Sequence, residues 1–326
     1  MTRHPHDPTR RRALAALAAM GLAPLARAQG DRVVKFILPV ATASGVDTIT
    51  RAAQGALGKA LGHPVVVENQ PGAGGIVGTQ ALVKSAPDGY TLSFVSNNHV
   101  IYPSVYKSLP FDPINDITPI AIIGSTPIVV VTNPKVPATS AKELAALLRS
   151  KPGQVNYGSS GNGTILHLAA EMFIDEAGAG KANHIPYKGV GPMITDTIGG
   201  QVDWCTAALP SVQQHLKSGA LRAIGVGSAQ RVPAAPEIPT MVEQGMPNYL
   251  VEGWFGFIGP KGLPAAEVKR LHDAVVAAFA APEVKDAMAR QGNTIDIGTP
   301  EAAAQFFRSE MAKYAKLVKK AGIELQ

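Results

Sequence analysis

The chain has 326 residues, of which 46% are hydrophobic and 17% are charged, and its formal net charge is +6. This composition excludes a disordered chain and a coiled coil, and it is typical of a well-packed protein long enough for two domains. The sequence has no basic run with interleaved aromatic residues, so it gives no reason to expect nucleic acid as a partner. Cys205 is the single cysteine, which excludes an internal disulfide.

The first 28 residues have the three successive parts of a secretory signal peptide. Three arginines at 10–12 precede an apolar stretch at 13–25, and residues 26–28 read Ala-Arg-Ala, an A-x-A cleavage pattern. The apolar stretch is too short for a permanent membrane span. A disordered basic tail is the alternative, and the adjacent arginines leave the twin-arginine export route open. We predict cleavage after Ala28, which lowers the formal charge from +6 to +2, and a periplasmic mature chain.

Strand-like apolar runs alternate with helix-like segments at the start of the mature chain. The sequence predicts, in order, a strand at 33–40, a helix at 47–61, a strand at 64–68, a short helix ending at 84 and a strand at 90–96. Such alternation is typical of βαβ units, and it predicts a largely parallel sheet.

The stretch NQPGAGGIVGTQ, from Asn69 to Gln80, lies between the second strand and the short helix. A glycine loop in this position holds phosphates in dinucleotide-binding proteins, whose G-x-G-x-x-G pattern needs a third glycine where the helix packs on the strand. Here Val77 occupies the third-glycine position, and no G-x-x-x-x-G-K-[ST] motif occurs. We therefore interpret the stretch as a tight strand-to-helix turn that is structural rather than ligand-binding, with glycines for positive φ angles.

A second domain is predicted after residue 131. Two strand-like runs follow each other between residues 120 and 134 without an intervening helix, and we place the crossing between domains there. A capping box from Ser140 to Glu143 then predicts a helix that ends near residue 150. Further strand and helix segments alternate in the order QVNYG, SSGNGTILHLAAEMF, NHIPYKGVGP, MITDTIGG, VDWCTAALP, SVQQHLKSG and LRAIGVG.

The chain is predicted to return to the first domain near residue 251. VEGWFGFIGP predicts a strand, a helix follows from 265 to about 280, and a last helix begins at Thr299 with Pro300 in its first turn. A core-facing stripe at helical spacing is predicted on this last helix, formed by Phe307, Met311, Tyr314 and Val318.

These crossings predict an α/β fold of two lobes, each a mostly parallel sheet flanked by helices. Lobe 1 is predicted at 29–131 plus 252–326, and lobe 2 at 132–251. Two crossings form a hinge that suits closure of the lobes around a ligand.

Catalytic and metal sites receive little support from the sequence. GSSGNG at 158–163 resembles a nucleophile elbow, but Asn162 stands where G-x-S-x-G requires glycine. The histidines lie in different units, and His167 between two leucines is typical of a hydrogen-bonded structural residue. An exported hydrolase using Ser159 or Ser160 is the alternative function; we predict no catalytic residue, no metal and no cofactor.

Three loops place small residues between a strand and a helix start, at 42–47, 159–164 and 187–192. Helix N-termini expose unpaired N–H groups and the positive end of the helix dipole, so they bind anions without a charged side chain. Such loops in two facing lobes would suit a small carboxylate. Ordinary βα turns are the alternative interpretation.

Several segments resemble one family in order and spacing over essentially the whole mature chain. The segments are VVVENQPGAGGIVGTQALVKSAPDGYTL, YGSSGNGTILHLAAEMF, HIPYKGVGPMITDTIGGQVD, LPSVQQHLKSGALRAIGVGSAQR and WFGFIGPKGLP. They are similar to the Bug proteins, the periplasmic solute-binding receptors of tripartite tricarboxylate transporters. The resemblance implies a type II periplasmic-binding-protein fold that closes on one small carboxylate, with no enzymatic activity. It also implies a monomer that serves membrane permease subunits or a sensor.

The resemblance also implies which residues hold the ligand. In the family, two loops bind the carboxylate through backbone amides and ordered water, and two further segments add polar contacts. Carried over, the ligand-binding residues are Thr42, Ala43, Ser44, Asp47, Asn97, Ser160, Asn162, Thr164, Tyr187, Lys188, Gly189 and Gly191.

The first loop departs from the family pattern. The usual Gly-Gly pair is replaced by Ala43-Ser44, which adds two Cβ atoms where the backbone approaches the ligand. Two roles stay open for Asp47, which either caps the first helix or receives an ammonium group. Lys188 either pairs with a carboxylate or is solvated.

Overall fold

A computed structural model describes residues 32–325 of the chain, so the predicted signal peptide at 1–28 lies outside the described residues. Nine strands form one sheet in the described part. The strands are β1 Val34–Leu38, β2 Val65–Asn69, β3 Thr91–Ser96, β4 Ile117–Thr132, β5 Asn156–Ser159, β6 Asn183–Pro186, β7 Trp204–Ala208, β8 Arg222–Val226 and β9 Glu252–Pro260.

Ten α-helices connect or flank these strands within residues 32–325. The helices are α1 Gly45–Leu61, α2 Ile76–Val83, α3 Asn98–Ile101, α4 Ala141–Ser150, α5 Ile165–Glu176, α6 Val190–Gly199, α7 Leu209–Lys217, α8 Ala265–Ala280, α9 Pro282–Gln291 and α10 Pro300–Lys320. The predicted caps are confirmed, since the Ser140 hydroxyl accepts from the Glu143 amide and the Thr299 hydroxyl accepts from the Ala302 amide. The sequence interpretation missed α3 and α9.

The strand order is β2-β1-β3-β9-β4-β7-β5-β6, and β8 also pairs with β4. In the first half of the sheet, β1 pairs with β2 and β3 in parallel, and β9 runs antiparallel between β3 and β4. In the second half, β5 pairs in parallel with β6 and β7, and β4 runs antiparallel to β7 and β8. Each half therefore has one strand opposed to an otherwise parallel set.

Strand β4 joins the two halves of the sheet. The two strand-like runs predicted at 120–134 form one continuous strand of 16 residues. It pairs with β9 as far as Pro127 and with β7 from Ile128 onward. The change of partner lies slightly before the crossing that the sequence places at residue 131, and the division into lobes stays a prediction.

Two hydrophobic clusters form the core, of which the first lies in the first half of the sheet and the second spans both halves and includes α10. In the first, Phe36, Phe94 and Phe257 stack with ring centroids 5.0–5.6 Å apart. Each fully buried phenylalanine stabilises the fold by about 2 kcal/mol. The predicted stripe of α10 is confirmed as core, since Phe307, Tyr314 and Val318 are buried and Met311 is partly buried. No helix between residues 32 and 325 is long and apolar enough to cross a membrane.

Candidate ligand-binding site

A cavity of about 540 Å³ lies where the two halves of the sheet meet. Five helices begin at its wall, namely α1, α2, α5, α6 and α7, and each is the first α-helix after a strand. The five residues that cap these helices all line the cavity, and they are Ser44 for α1, Gly75 for α2, Thr164 for α5, Gly189 for α6 and Ala208 for α7. The N-termini of five helices of eight or more residues therefore converge on one space.

The chemistry of these caps suits an anion. Ser44 and Thr164 use their hydroxyls to accept from an amide of their own first turn, at 3.2 Å and 3.4 Å. Gly75, Gly189 and Ala208 make no side-chain cap, so the amides of their first turns lack that partner. The positive ends of these helices favour an anion although no arginine lies among the described residues of the wall. The first amides of α2 already donate to the Ala73 and Gly72 carbonyls, and Pro210 of α7 has no amide, whereas the first two residues of α6 both carry amides and have no side-chain cap.

The remaining wall is mostly apolar. Strands β4 and β9 add Ile128, Trp254 and Phe255. These residues were not predicted, because inward-facing residues of a buried strand have the same hydrophobic pattern as core residues. The other apolar side chains of the wall are Pro39, Val40, Ala41, Val46, Pro71, Ala73, Ile165, Leu166 and Val190.

Asn97 is held rigidly at the wall by a hydrogen-bond network. Its Oδ1 accepts from the Trp254 amide at 3.0 Å, and its Nδ2 donates to the Tyr314 hydroxyl at 2.6 Å. The Trp254 indole donates to Glu310 at 2.9 Å from behind the wall. Burial raises the pKa of Tyr314, which keeps its hydroxyl protonated. The network fixes Trp254, but it leaves Asn97 little capacity for a ligand.

Seven of the twelve predicted ligand-binding residues line the cavity, namely Ser44, Asn97, Ser160, Thr164, Tyr187, Lys188 and Gly189. The Tyr187 hydroxyl donates to Asp196 at 2.8 Å, and its pKa is raised to about 12 by burial and by that carboxylate. The Lys188 side chain is exposed. Among these residues the backbone at Gly189 and the Ser160 hydroxyl oxygen are best placed to contact a ligand, because the Thr164 hydroxyl already bonds to Ser160, Gly161 and His167.

The other five predicted residues lie outside the wall. Thr42 and Ala43 are exposed, and Gly191 is the second residue of α6; none of the three is among the wall residues. Asn162 faces a different pocket, lined by histidines and the C-terminal residues. The Asp47 carboxylate lies behind the loop, where its hydrogen bonds are structural.

The Asp47 carboxylate stabilises the first loop. It accepts from the Ala43 amide at 3.0 Å, from the Arg51 guanidinium at 2.9 Å and from the Asn69 side-chain amide at 2.9 Å. Of the two roles left open by the sequence, this geometry favours the structural one. Asp47 ties the loop to α1 and β2, and its carboxylate does not line the cavity.

Ala43, which stands in the place of a family glycine, has a φ of +63°. An alanine in this left-handed region is strained by about 1–2 kcal/mol. We expect Ala43→Gly to raise the free energy of unfolding by about 1 kcal/mol, because the side chain is exposed and loses no packing. Urea denaturation measures this change.

Ala41→Gly is the matched control for Ala43→Gly. Ala41 lies two residues earlier in the same loop and has no positive φ, so glycine there relieves no strain. It adds unfolded-state entropy and removes the Cβ that faces Gly189, and both effects are expected to destabilise. Destabilisation of equal size in both variants would contradict the strain at Ala43.

The glycine loop after β2, which the sequence analysis interprets as structural, lies next to the cavity, since residues 71–75 line it. Gly75 has a φ of +125°, and a Cβ there would lie 2.7 Å from the Pro39 carbonyl oxygen. Gly78 permits the close approach of α2 to the β1 end, where a Cβ would lie 2.8 Å from Pro39 Cα. The helix-start signal that identified the other three loops was present here as well, because α2 begins at residue 76.

Contacts across the cavity bring the two halves together. The Ser211 hydroxyl donates to the Ala43 carbonyl at 2.9 Å, and the Ile165 amide donates to Asn98 Oδ1 at 2.9 Å. A Cβ on Gly189 would lie 2.8 Å from the Ala41 Cβ. The loops after β1 and β6 therefore touch beside the cavity.

A serine–histidine contact lies apart from this cavity. Ser159 Oγ lies 2.6 Å from His184 Nε2, and the His184 ring stacks on His167 with centroids 3.9 Å apart. Ser159 is fully buried, and burial lowers the pKa of His184 to about 4, which makes it a poor general base at neutral pH. Ser160 lines the cavity, but its hydroxyl bonds to Thr164. The hydrolase alternative has no support in this geometry.

Known proteins match the chain over most of its length. The family model described as tripartite tricarboxylate transporter family receptor, TctC, matches residues 49–323. Protein BugT of Bordetella pertussis (strain Tohama I) is 36% identical over 297 residues, which are 90% of this chain and 91% of BugT.

Two solved structures share the fold. The periplasmic binding protein BugD has a TM-score of 0.86 and 31% identity, covering 90% of this chain and 99% of its own. R. palustris Rpa4515 with adipate has a TM-score of 0.86 and 28% identity, covering 90% of this chain and 99% of its own. These matches confirm the predicted two-lobed periplasmic-binding-protein fold.

Proposed function

We propose that this chain, which belongs to the tripartite tricarboxylate transporter receptor family, captures a small carboxylate in the cavity between its two halves. The family consists of periplasmic solute-binding receptors and not of enzymes. The observation that carries the proposal is the convergence of five helix N-termini on one cavity. A carboxylate there receives backbone N–H groups away from bulk water, and each such charge-assisted bond contributes about 1.5–3 kcal/mol.

The first and the sixth helix are the proposed carboxylate-holding pair. Their capping residues, Ser44 and Gly189, both line the cavity, and the loops that carry them touch through Ala41. Because the two loops come from opposite halves of the sheet, a carboxylate between them would join the halves and favour closure. Relatives support the ligand class, since R. palustris Rpa4515 is a structure with adipate.

The compartment and the partners follow from the same proposal. The chain is exported to the periplasm and cleaved after Ala28, and it acts there as a monomer. It delivers the carboxylate to membrane permease subunits of a tripartite tricarboxylate transporter or reports it to a sensor. The chemistry of this role needs no cofactor, because binding and release are the whole activity.

A thermal-shift screen of the protein purified from the periplasmic fraction tests the proposal. We expect at least one small mono- or dicarboxylate to raise the melting temperature by several degrees, since saturation at 100 times Kd adds about 2.7 kcal/mol. The neutral amide of the same acid is the matched control, and it should give no shift. No shift with any carboxylate, or equal shifts with acid and amide, would contradict the proposal.

A further inference from the structure

The loop between β5 and α5, residues 160–164, separates the cavity from a second pocket. Three of its five residues line the cavity. A fourth, Asn162, lines the second pocket together with His167 of α5 and His184 of β6. Neither histidine is among the residues that line the cavity. The two histidines therefore lie behind the loop, on the side away from a bound ligand.

His167 holds the end of the loop next to α5 through one buried hydrogen bond. Its Nδ1 accepts from the Gly163 amide at 3.0 Å. A ring nitrogen that accepts carries no proton, and burial together with the neighbouring His184 lowers the pKa of His167 to about 3, so the ring is neutral at neutral pH. Removal of this acceptor would leave the Gly163 amide buried and unpaired, which destabilises this conformation of the loop.

His184 holds the start of the loop through Ser159, the last residue of β5. Its Nε2 lies 2.6 Å from Ser159 Oγ. The Ser159 hydroxyl in turn donates to the Gly161 carbonyl at 3.0 Å and accepts from the Gly161 amide at 3.2 Å. The Ser159 carbonyl accepts from the Tyr187 amide at 2.9 Å. His184 is therefore connected through one serine to the loop after β5 and to the loop after β6, both of which line the cavity.

The two histidine rings hold each other in place. They stack with centroids 3.9 Å apart and an interplanar angle of 13°, and the Tyr157 ring stacks on His184 at 4.8 Å. The Tyr157 hydroxyl donates to Glu171, whose carboxylate lies 3.8 Å from His167 Nε2. Neither imidazole can turn without displacing the other, because stacked rings at this distance are in van der Waals contact.

We propose that His167 and His184 are positioning residues for the ligand, which hold the loop at 160–164 from behind in the conformation that presents Ser160 to the carboxylate. This inference rests on the proposed function and deepens it. His167 acts through Gly163, and His184 acts through Ser159. A loop released from these bonds would occupy many conformations, and a ligand would have to order it at a cost in affinity.

Two substitutions at His167 separate the hydrogen bond from the packing. Leucine and asparagine have nearly the same shape, but only asparagine has an oxygen that can take the place of Nδ1. We expect His167→Leu to bind the best carboxylate of the thermal-shift screen about tenfold more weakly than the parent chain, the effect of one lost hydrogen bond. His167→Asn is expected to restore the affinity to within about threefold of the parent value. Calorimetry on the full mature protein at neutral pH measures both.

His184 gives a second, independent pair of variants. The side-chain amide of His184→Gln can reach the place of Nε2, whereas His184→Met has a similar length and no such group. We expect His184→Met to weaken binding about tenfold and His184→Gln to restore most of the affinity.

His272→Leu is the matched control for a general loss of stability. The His272 side chain contacts the Gly298 carbonyl oxygen at 3.0 Å through Nε2, and it lines neither pocket. This variant also loses a partly buried hydrogen bond, so it is expected to melt at a lower temperature and to bind the carboxylate like the parent chain.

Amide hydrogen exchange without ligand reports on the loop itself. Mass spectrometry of the peptide that contains residues 160–164 is expected to show faster exchange in His167→Leu than in the parent chain, and near-parental exchange in His167→Asn. His272→Leu should leave the exchange of this peptide unchanged. A purely structural role of His167 would not produce this local difference together with the loss of affinity.

The possible results separate the inference from the function on which it rests. Parental affinity in His167→Leu and His184→Met would overturn the inference and leave carboxylate capture intact. Equal weakening in His167→Leu and His167→Asn would also overturn it, because the hydrogen bond would then not be the cause. If neither His167→Leu nor His184→Met folds, Ser159→Ala decides, since it removes a single oxygen atom behind the loop and is expected to weaken binding. Failure of the parent chain to bind any carboxylate would overturn the proposed function and the inference together.

Discussion

Gly189→Ala is expected to weaken carboxylate binding by about 100-fold, the loss of two charge-assisted hydrogen bonds of roughly 1.5 kcal/mol each. Gly189 caps α6 at the cavity wall with a φ of +119°. A Cβ there would lie 2.8 Å from the Ala41 Cβ, so the loops after β1 and β6 could not meet as they do. Calorimetry with the best carboxylate of the thermal-shift screen measures the loss.

The position also carries a stability cost that the sequence did not indicate. The positive φ adds strain of about 1–3 kcal/mol, so a lower melting temperature is expected as well. Ala41→Leu is a second variant that fills the same gap from the other loop without a positive φ.

Gly191→Ala is the matched control for Gly189→Ala. Gly191 lies two residues further along α6, outside the cavity wall, and a Cβ there would meet no atom within 4 Å. We expect Gly191→Ala to bind the carboxylate normally and to be at least as stable as the parent chain. Normal affinity in both Gly189→Ala and Ala41→Leu would show that the meeting of these loops does not hold the ligand.

Acid is expected to destabilise the protein steeply between about pH 6.5 and pH 4, because buried histidines are held neutral in the folded state. Burial lowers the pKa of His99 to about 4, that of His184 to about 4 and that of His167 to about 3. The unfolded chain binds protons at these groups from about pH 6.5 downward, whereas the folded chain does not. A fully buried neutral histidine such as His99 therefore removes about 1.4 kcal/mol of stability per pH unit of acidification through this window.

His99 gives the most direct measure of this destabilisation by acid. Its Nε2 contacts the Pro113 carbonyl oxygen at 2.7 Å, and its Nδ1 is buried without a hydrogen-bond partner, so protonation would bury an unpaired cation. His167 and His184 report the acid effect less directly. Burial raises the pKa of the nearby Glu171, so protonation of that carboxylate stabilises the fold in acid while the histidines destabilise it.

The measurement is the free energy of unfolding in urea at pH 7.5, 6.0 and 5.0. His99→Gln keeps a donor for the Pro113 carbonyl and removes the titrating group. On unfolding in acid, the variant should take up about one proton fewer than the parent chain, so its free energy of unfolding should fall less steeply with pH. This holds even if the variant is less stable at pH 7.5. A variant with the pH dependence of the parent chain would contradict the burial of a neutral His99.

Much of the local structure could be predicted from the sequence alone. The strands and helices, the caps at Ser140 and Thr299 and the buried stripe of α10 depend on residue spacing and on hydrogen bonds within one turn. Such interactions join residues that are close in the sequence, so a short segment is enough to predict them. The three small-residue loops were recognised for the same reason, and the resemblance over the whole mature chain identified the family.

The composition of the cavity wall depended on tertiary structure. The loops after β1, β2, β5, β6 and β7 meet because the sheet places the carboxyl ends of these strands around one space. That arrangement joins residues more than a hundred positions apart, such as Ala43 and Ser211. It brought the glycine loop at 71–75 into the wall and turned Asp47 and Asn162 away from it. The sequence by itself indicated three of the five helix starts at the cavity, because small residues between a strand and a helix are a local signal. Only packing decided that the starts of α2 and α7 share the cavity and which charges face it.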